Sequence, residues 1–314
     1  MVQQTHAKQR QKLQLIYLVI CLIGLYGIVP QLRDFQASFT LWHHVRVGYV
    51  LAAIASCALT YVFAAGTYYI LVFARLGYGR TLLVELASMF VNRLLPAGVG
   101  GIGANYAYQR KAKIPAAEAS AVVAINNVLG LIGHCCLVIS ALICEPSLLR
   151  TLHTPHISST TELIALGLTV LVVLLLVTFR RRLPDVRLAM KRFIAQVRSY
   201  RQQPLRISAA LVCSLGLTVT NIAALWFSVL AIGFHLSPLS ILLVFTLGIG
   251  VGTVTPTPGG VGGVEAALVT GLVAYHMSAV SALAAVLVYR LISYWLALIV
   301  GAGTFVVVRH RGYF

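Results

Sequence analysis

Long apolar runs broken by short basic segments set the pattern of this chain. A helix that crosses a bilayer needs about 20 apolar residues. Runs of that kind lie at roughly 13–30, 47–74, 116–144, 162–179, 207–233 and 279–308, and each predicts a full span. Two further apolar stretches, about 82–109 and 239–276, are each interrupted at mid-length by proline and glycine. The pattern predicts an all-α polytopic membrane protein with six full spans plus two Pro-Gly re-entrant hairpins, forming one transmembrane domain over 1–314.

Composition agrees with that pattern. The chain is 59% hydrophobic and 10% charged, with a mean hydropathy of +0.90, whereas a soluble domain carries about 25% charged residues. The first run, Leu13 to Val29, ends at Pro30 without a small-residue cleavage site, so a retained span is expected rather than a cleaved signal.

The net charge of +17 raises the question of nucleic acid. The basic residues, however, cluster between the apolar runs, with no aromatic-interleaved groove, which is a topology signal and argues against nucleic acid as a partner. With the N-terminus inside and each interrupted stretch returning to its starting side, 19 Lys and Arg fall inside. Three fall outside (Arg33, Arg46, Arg150) and two within the membrane (Arg93, Arg290). The expectation is a multi-pass protein of the cell (inner) membrane with both termini cytoplasmic.

The polar insert 180–206 holds nine of the basic residues. There Val186, Met190, Phe193 and Val197 recur at helical spacing against Arg187, Lys191, Arg198 and Arg201. This predicts an amphipathic cytoplasmic segment on anionic headgroups; a basic loop that only enforces topology is the alternative. Six cysteines lie in or beside apolar runs without a C-x-x-C pair, so buried small hydrophobes are expected rather than a metal site or disulfides.

An internal repeat is visible. Pro96-Ala97-Gly98-Val99-Gly100-Gly101-Ile102-Gly103-Ala104 matches Pro258-Gly259-Gly260-Val261-Gly262-Gly263-Val264-Glu265-Ala266 at six of nine positions, offset by 162 residues. The same offset aligns the alanine-rich Ala116–Ile132 with Ser278–Tyr294. The repeat units are about 82–144 and 239–308. Three spans follow the first hairpin, so the second opens to the opposite side, and the units form an inverted-topology repeat of the kind transporters use around a central site.

Helix breaks at membrane depth are tolerated only where buried in protein or facing a wet cavity. Proline stops the first half-helix, glycine allows the reversal, and the second half-helix points its free N–H groups at the cavity, a natural phosphate site. Glycines serving only close helix packing are the alternative. Gly98–Gly103 fits G-x-G-x-x-G formally, but without a soluble strand before it or an acidic residue about 20 positions on, a dinucleotide site is rejected.

The candidate substrate-binding residues are therefore Arg93, Pro96, Gly98, Gly100, Gly101, Pro258, Gly259, Gly260, Gly262, Gly263, Glu265 and Arg290. Arg290 lies 11 residues into the last span, and Glu265 is placed to pair with it, either for function or as a structural ion pair. Secondary candidates are Asn92, beside Arg93, Glu118, Asn126, Asn127 and Asn221. Glu118 alternatively caps its span, and the asparagines alternatively join helices by hydrogen bonds. Glu85 lies nearer the cytoplasmic edge, His134 reads as a satisfied interior histidine and Tyr289 as packing. No catalytic constellation, metal-ligand cluster or cofactor motif is present, so a non-enzyme without cofactors is expected.

The segment Thr257-Pro258-Gly259-Gly260-Val261-Gly262-Gly263-Val264-Glu265-Ala266-Ala267, followed by Val288-Tyr289-Arg290-Leu291-Ile292-Ser293-Tyr294-Trp295, resembles the lysylphosphatidylglycerol synthase transmembrane, or flippase-domain, family. The resemblance covers about residues 10 to 310. It implies translocation of an aminoacylated phosphatidylglycerol or another polar or isoprenoid lipid between leaflets, with Pro258, Gly259, Gly260, Gly262, Glu265 and Arg290 as motif residues. The chain ends at Phe314 without the aminoacyl-transferase domain of full-length synthases, so aminoacylation is not implied. Where many relatives carry a Glu-Arg pair, this chain has Asn126-Asn127, which implies a different preference for substrate charge.

The expected function is a lipid flippase or transporter acting on anionic or zwitterionic membrane lipids, with self-association into a homo-oligomer compatible with it. The alternatives are an ion- or proton-coupled carrier of a small solute, and a non-transporting scaffold that recruits a soluble enzyme through 180–206.

Overall fold

The structure, a computed structural model, describes residues 45–74, 76–95, 99–144, 191, 193–255 and 257–313. The expected spans at 13–30 and 162–179, the first part of the basic segment, and Pro96 and Gly98 lie outside the described residues. Among those described there is no strand.

Among the described residues, four helical stretches are long and apolar enough to cross a membrane: α1 (Val47–Leu71), α4 (Ala116–Cys144), α5 (Pro204–Ala231) and the continuous stretch Ala279–His310. They coincide with four of the six expected spans. The last is not uniform: α8 (Ala279–Arg290) passes through a π turn, Leu291–Leu296, into α9 (Ala297–His310). Their outer faces are apolar. Leu131, Ile143, Val212 and Ile299 are 66%, 73%, 63% and 70% exposed, a pattern that suits hydrocarbon and would be costly in water. Cys135, Cys136 and Cys144 also lie on such faces rather than inside, because in lipid the surface is as apolar as the core. Among the described cysteines only Cys57 is buried.

Each interrupted stretch is a pair of short helices packed on one another. The first holds α2 (Tyr78–Leu94) and α3 (Val99–Lys111), the second α6 (Pro238–Val254) and α7 (Gly263–Ala274). The longest of these has 17 residues, about 25 Å at 1.5 Å per residue, against an apolar bilayer thickness of about 30 Å. Each pair is followed by a long helix, so the order short, short, long occurs twice in the described chain.

Packing follows small residues. The broad contact of α1 with α5 is crossed by a Thr60–Thr220 hydrogen bond of 3.0 Å, a polar join that lipid cannot compete for. Leu225, Val244, Leu268, Leu272 and Val286 knit α5 to α6, α7 and α8. On the other side α9 lies along α2, with Phe90 against Phe305 at 5.5 Å. His134 Nε2 is 3.1 Å from Thr246 Oγ1, a satisfied interior pair. Of the basic segment, 193–199 is helical and Tyr200–Gln202 is a 3-10 turn. Tyr200 is buried and donates its hydroxyl to Leu71 O at 2.7 Å, while the Arg206 guanidinium lies 4.9 Å from the Phe73 ring centre, so this end is pinned to the end of α1.

Two glycines control the breaks. A Cβ on Gly100 would stand 2.3 Å from Val91 O, so only glycine lets α3 fold back against α2. Gly259 has φ of +62°, in the 3-10 turn Pro258–Gly260, and a Cβ there would meet Tyr294 Cε2 at 2.3 Å. Gly259→Ala is therefore expected to destabilise the protein by about 2–5 kcal/mol, combining the left-handed backbone penalty with overpacking. Gly303→Ala, whose Cβ would meet nothing within 4 Å, should leave thermal unfolding in detergent unchanged or slightly raised. Equal melting of the two variants would remove the proposed role of the Gly259 turn.

Candidate functional site

The polar residues of α2 recur at helical spacing: Glu85, Ser88, Asn92 and Arg93 share one face with Met89. That face is turned inward. It borders a cavity of about 390 Å³ together with Tyr61 and Tyr68 of α1, Gly101 and Asn105 of α3, and Asn126 and Asn127 of α4. A second cavity, of about 510 Å³, is bounded by Gly259, Gly260, Tyr289 and Arg290 from the second half of the chain. Asn92, Ile102, Asn127 and Asn221 line both, so the two spaces adjoin. Leu95, at the end of α2, also borders the larger one. The ends of both short-helix pairs thus meet at one polar interior.

Arg290 is held on three sides. Its Nε donates to Glu265 Oε1 at 2.5 Å, its Nη2 donates to Gly259 O at 3.2 Å, and the Tyr294 ring centre lies 4.6 Å from the guanidinium carbon. The pair is deep, with side chains 11% and 13% exposed. Glu265 also accepts the Gly262 N–H at Oε2, 2.7 Å away, so it occupies the positive end of α7 that a free anion could otherwise take. Gly262, at φ +89°, supplies that N–H from a conformation that suits glycine. On the first pair Asn92 Oδ1 accepts the Gly101 N–H at 3.1 Å, a corresponding side-chain cap for α3.

Arg93 is arranged differently. Its Nη1 donates to Met89 O at 3.1 Å, and its Nη2 to the Tyr61 hydroxyl at 3.3 Å and to Ser293 O. Its buried Nε has no partner, and no carboxylate pairs with it among the described residues. The same Tyr294 ring that carries Arg290 lies 5.6 Å from the Arg93 guanidinium carbon. Tyr294 and Ser293 stand in the π turn, a wider coil that recurs at functional sites. Arg93, Arg290 and Glu265 leave this centre with one uncompensated positive charge.

Not every expected residue faces this space. Gly100 and Gly263 are packing positions, against Val91 and Thr255, and Pro258 starts the 3-10 turn. Glu118 borders neither cavity and sits in the first turn of α4 with Oε1 buried and unpartnered. Asn127 and Asn221 donate to carbonyls of their own helices, Val123 O at 2.8 Å and Leu217 O at 3.1 Å, while bordering both cavities. Tyr289, expected as packing, lines the larger cavity as well as the core. Tyr61, Ser88, Asn105 and the dual role of Tyr294 escape a reading by motif. The period of polar residues along α2 is the signal that could have found Ser88.

Glu265→Ala should cost about 3–5 kcal/mol, because it leaves Arg290 unpaired in a buried setting. Glu265→Gln keeps an acceptor for the Gly262 N–H and should cost less. Thermal unfolding of both variants in the same detergent checks this, and a Gln variant as unstable as the Ala variant would assign the loss to the charge alone.

The profile of the lysylphosphatidylglycerol synthase TM region matches residues 14–301. No curated protein matches the chain. The matched region takes in both glycine-rich breaks, the Glu265–Arg290 pair and the π turn behind it, and a polytopic chain so matched over most of its length belongs to the lysylphosphatidylglycerol synthase TM family.

Proposed function

We propose that this protein moves a phosphate-bearing lipid between the leaflets of the cell membrane, acting as a transporter rather than an enzyme. The observation that carries this reading is the paired cavity between the two short-helix pairs, bordered by two arginines of which only one has a carboxylate partner among the described residues. An unbalanced guanidinium at membrane depth is expensive unless an anion visits it. Family membership supports a role at membrane lipids.

In this reading each short-helix pair is re-entrant, and the two units are inverted repeats. The twofold order of short, short and long helices supports the repeat, as does the equivalence of Asn127 and Tyr289 at the offset of 162, both lining the larger cavity. The termini are cytoplasmic, by the distribution of Lys and Arg. The headgroup phosphate sits between Arg93 and Arg290, the asparagines hold the polar remainder of the headgroup, and the acyl chains stay in lipid. Rocking of one unit against the other exposes the site to alternate sides. Anionic and zwitterionic lipids both fit a site with one net positive charge.

Reconstitution into liposomes with a panel of labelled phospholipids and isoprenoid phosphates tests the proposal. Wild type should move at least one class, and Arg290→Ala and Arg93→Ala should each slow it about ten- to a hundredfold, the weight of one charge-assisted hydrogen bond. Undiminished lipid movement in both variants would sink the assignment of the site.

A further inference from the structure

Glu85 plays no part in the phosphate contacts above, and its surroundings are unusual. It is 7% exposed, and no cation pairs with it among the described residues. Oε2 has one long contact, 3.4 Å from the Ser88 hydroxyl, which also donates to Glu85 O at 2.8 Å. Oε1 is buried with no partner. Beside it lies Asn105, 2% exposed, whose Oδ1 is also buried and unpartnered. One N–H of its Nδ2 goes to Gly101 O at 3.1 Å. Two orphan acceptors thus stand together at the edge of the smaller cavity.

An ionised Glu85 can take only the second N–H of the Asn105 amide, and it leaves Asn105 Oδ1 unanswered, since carboxylate and amide oxygens both only accept. A single proton on Oε1 resolves both, because the carboxyl then donates to Asn105 Oδ1. We propose that Glu85 and Asn105 form a proton-binding site, and that the proton taken up there is coupled to binding of the anionic headgroup in the adjoining space. The inference rests on the lipid-transport reading for its coupling half, but not for its proton half.

The geometry supplies the coupling route. Loss of the proton leaves Glu85 dependent on the donors beside it, the Ser88 hydroxyl and the Asn105 amide. That amide, with one N–H on Gly101 O and its second N–H toward Glu85, links the carboxyl to Gly101, whose own N–H is capped by Asn92 at the start of α3. The charge of Glu85 is therefore tied to the first turn after the glycine-rich break. It is also tied to the site electrostatically. Glu85 and Arg93 lie two turns apart on α2, about 12 Å. Neutral Glu85 leaves the arginine centre with its net positive charge, and ionised Glu85 cancels it. At an effective dielectric of about 20 that difference is about tenfold in affinity for a singly charged phosphate.

The other titratable groups around Glu85 do not replace it. The facing part of α1 presents Tyr61 and Tyr68, and α4 presents only Asn126 and Asn127 to this cavity. On α3, Tyr108 packs toward Tyr313, and Gln109 does not titrate. On α9, Arg309 borders a separate cavity with Val91 and Phe305. Arg80, on the first turn of α2, stacks on Tyr313. The proton is taken from solvent and returned to it, with no other bond made or broken.

Infrared difference spectroscopy of the purified full chain tests the proton site without any transport assay. At pH 7 wild type should show the carbonyl stretch of a protonated carboxyl that Glu85→Gln lacks. Asn105→Ala should keep that band but move it to higher frequency, since the acceptor is gone. No difference between wild type and Glu85→Gln, with both eluting as folded protein, overturns the proposal. Binding of labelled phosphatidylglycerol then tests the coupling: wild type should lose about tenfold in affinity as pH rises through the titration of the band, and Glu85→Gln should not respond. A response of equal size in Glu85→Gln would overturn the coupling. Failure of wild type to bind or move any phosphate lipid would instead count against the transport reading, with the infrared band still deciding the proton site.

Discussion

A helix that stops inside hydrocarbon leaves N–H and C=O groups that lipid cannot satisfy, and each one costs free energy unless the protein answers it. The two glycine-rich breaks of this protein are answered by side chains. Asn92 takes the Gly101 N–H at the first, Glu265 takes the Gly262 N–H at the second, and Arg290 reaches the carbonyl of Gly259. These answers create further demands. A buried carboxylate used as a helix cap needs a counter-ion, and Arg290 is that ion. A buried guanidinium then needs a surface to lie on, and the ring of Tyr294 provides it.

The π turn behind Arg290 joins the two halves of the site. It places Tyr294 near both guanidiniums and offers Ser293 O to Arg93, from the first pair of short helices. Arginines about 200 residues apart in sequence are thus brought to one aromatic ring. The glycine at 259 is part of the same arrangement, since any side chain there would displace that ring. Backbone geometry, ion pairing and stacking are coupled at this point, so a change to one is felt by the others.

Three carboxylates occur among the described residues, and each is treated differently. Glu265 is paired and caps a helix, Glu118 stands at the start of α4, and Glu85 faces a polar cavity with no cation paired to it among the described residues. The positive balance of the centre therefore depends on Glu85. In the proposed transport reading, that dependence gives the site a means to respond to protons as well as to lipid.

Much of this architecture was legible in the sequence. Apolar runs of sufficient length announce a spanning helix whatever their neighbours, because the bilayer thickness sets the requirement. The described spans accordingly fall where the runs do. The proline and glycine clusters marked both breaks, and the rarity of charge in apolar segments singled out Arg93, Glu265 and Arg290 before any contact was known. The pairing of Glu265 with Arg290 also followed, since an unpaired charge at that depth is hard to sustain. What the tertiary structure alone decided is which polar groups meet. The sharing of Tyr294, the lack of a counter-ion for Arg93, and the meeting of Glu85 with Asn105 depend on how α2, α3 and the π turn pack. Side-chain contacts between distant segments leave no fixed spacing in the chain, and so no pattern along it could disclose them.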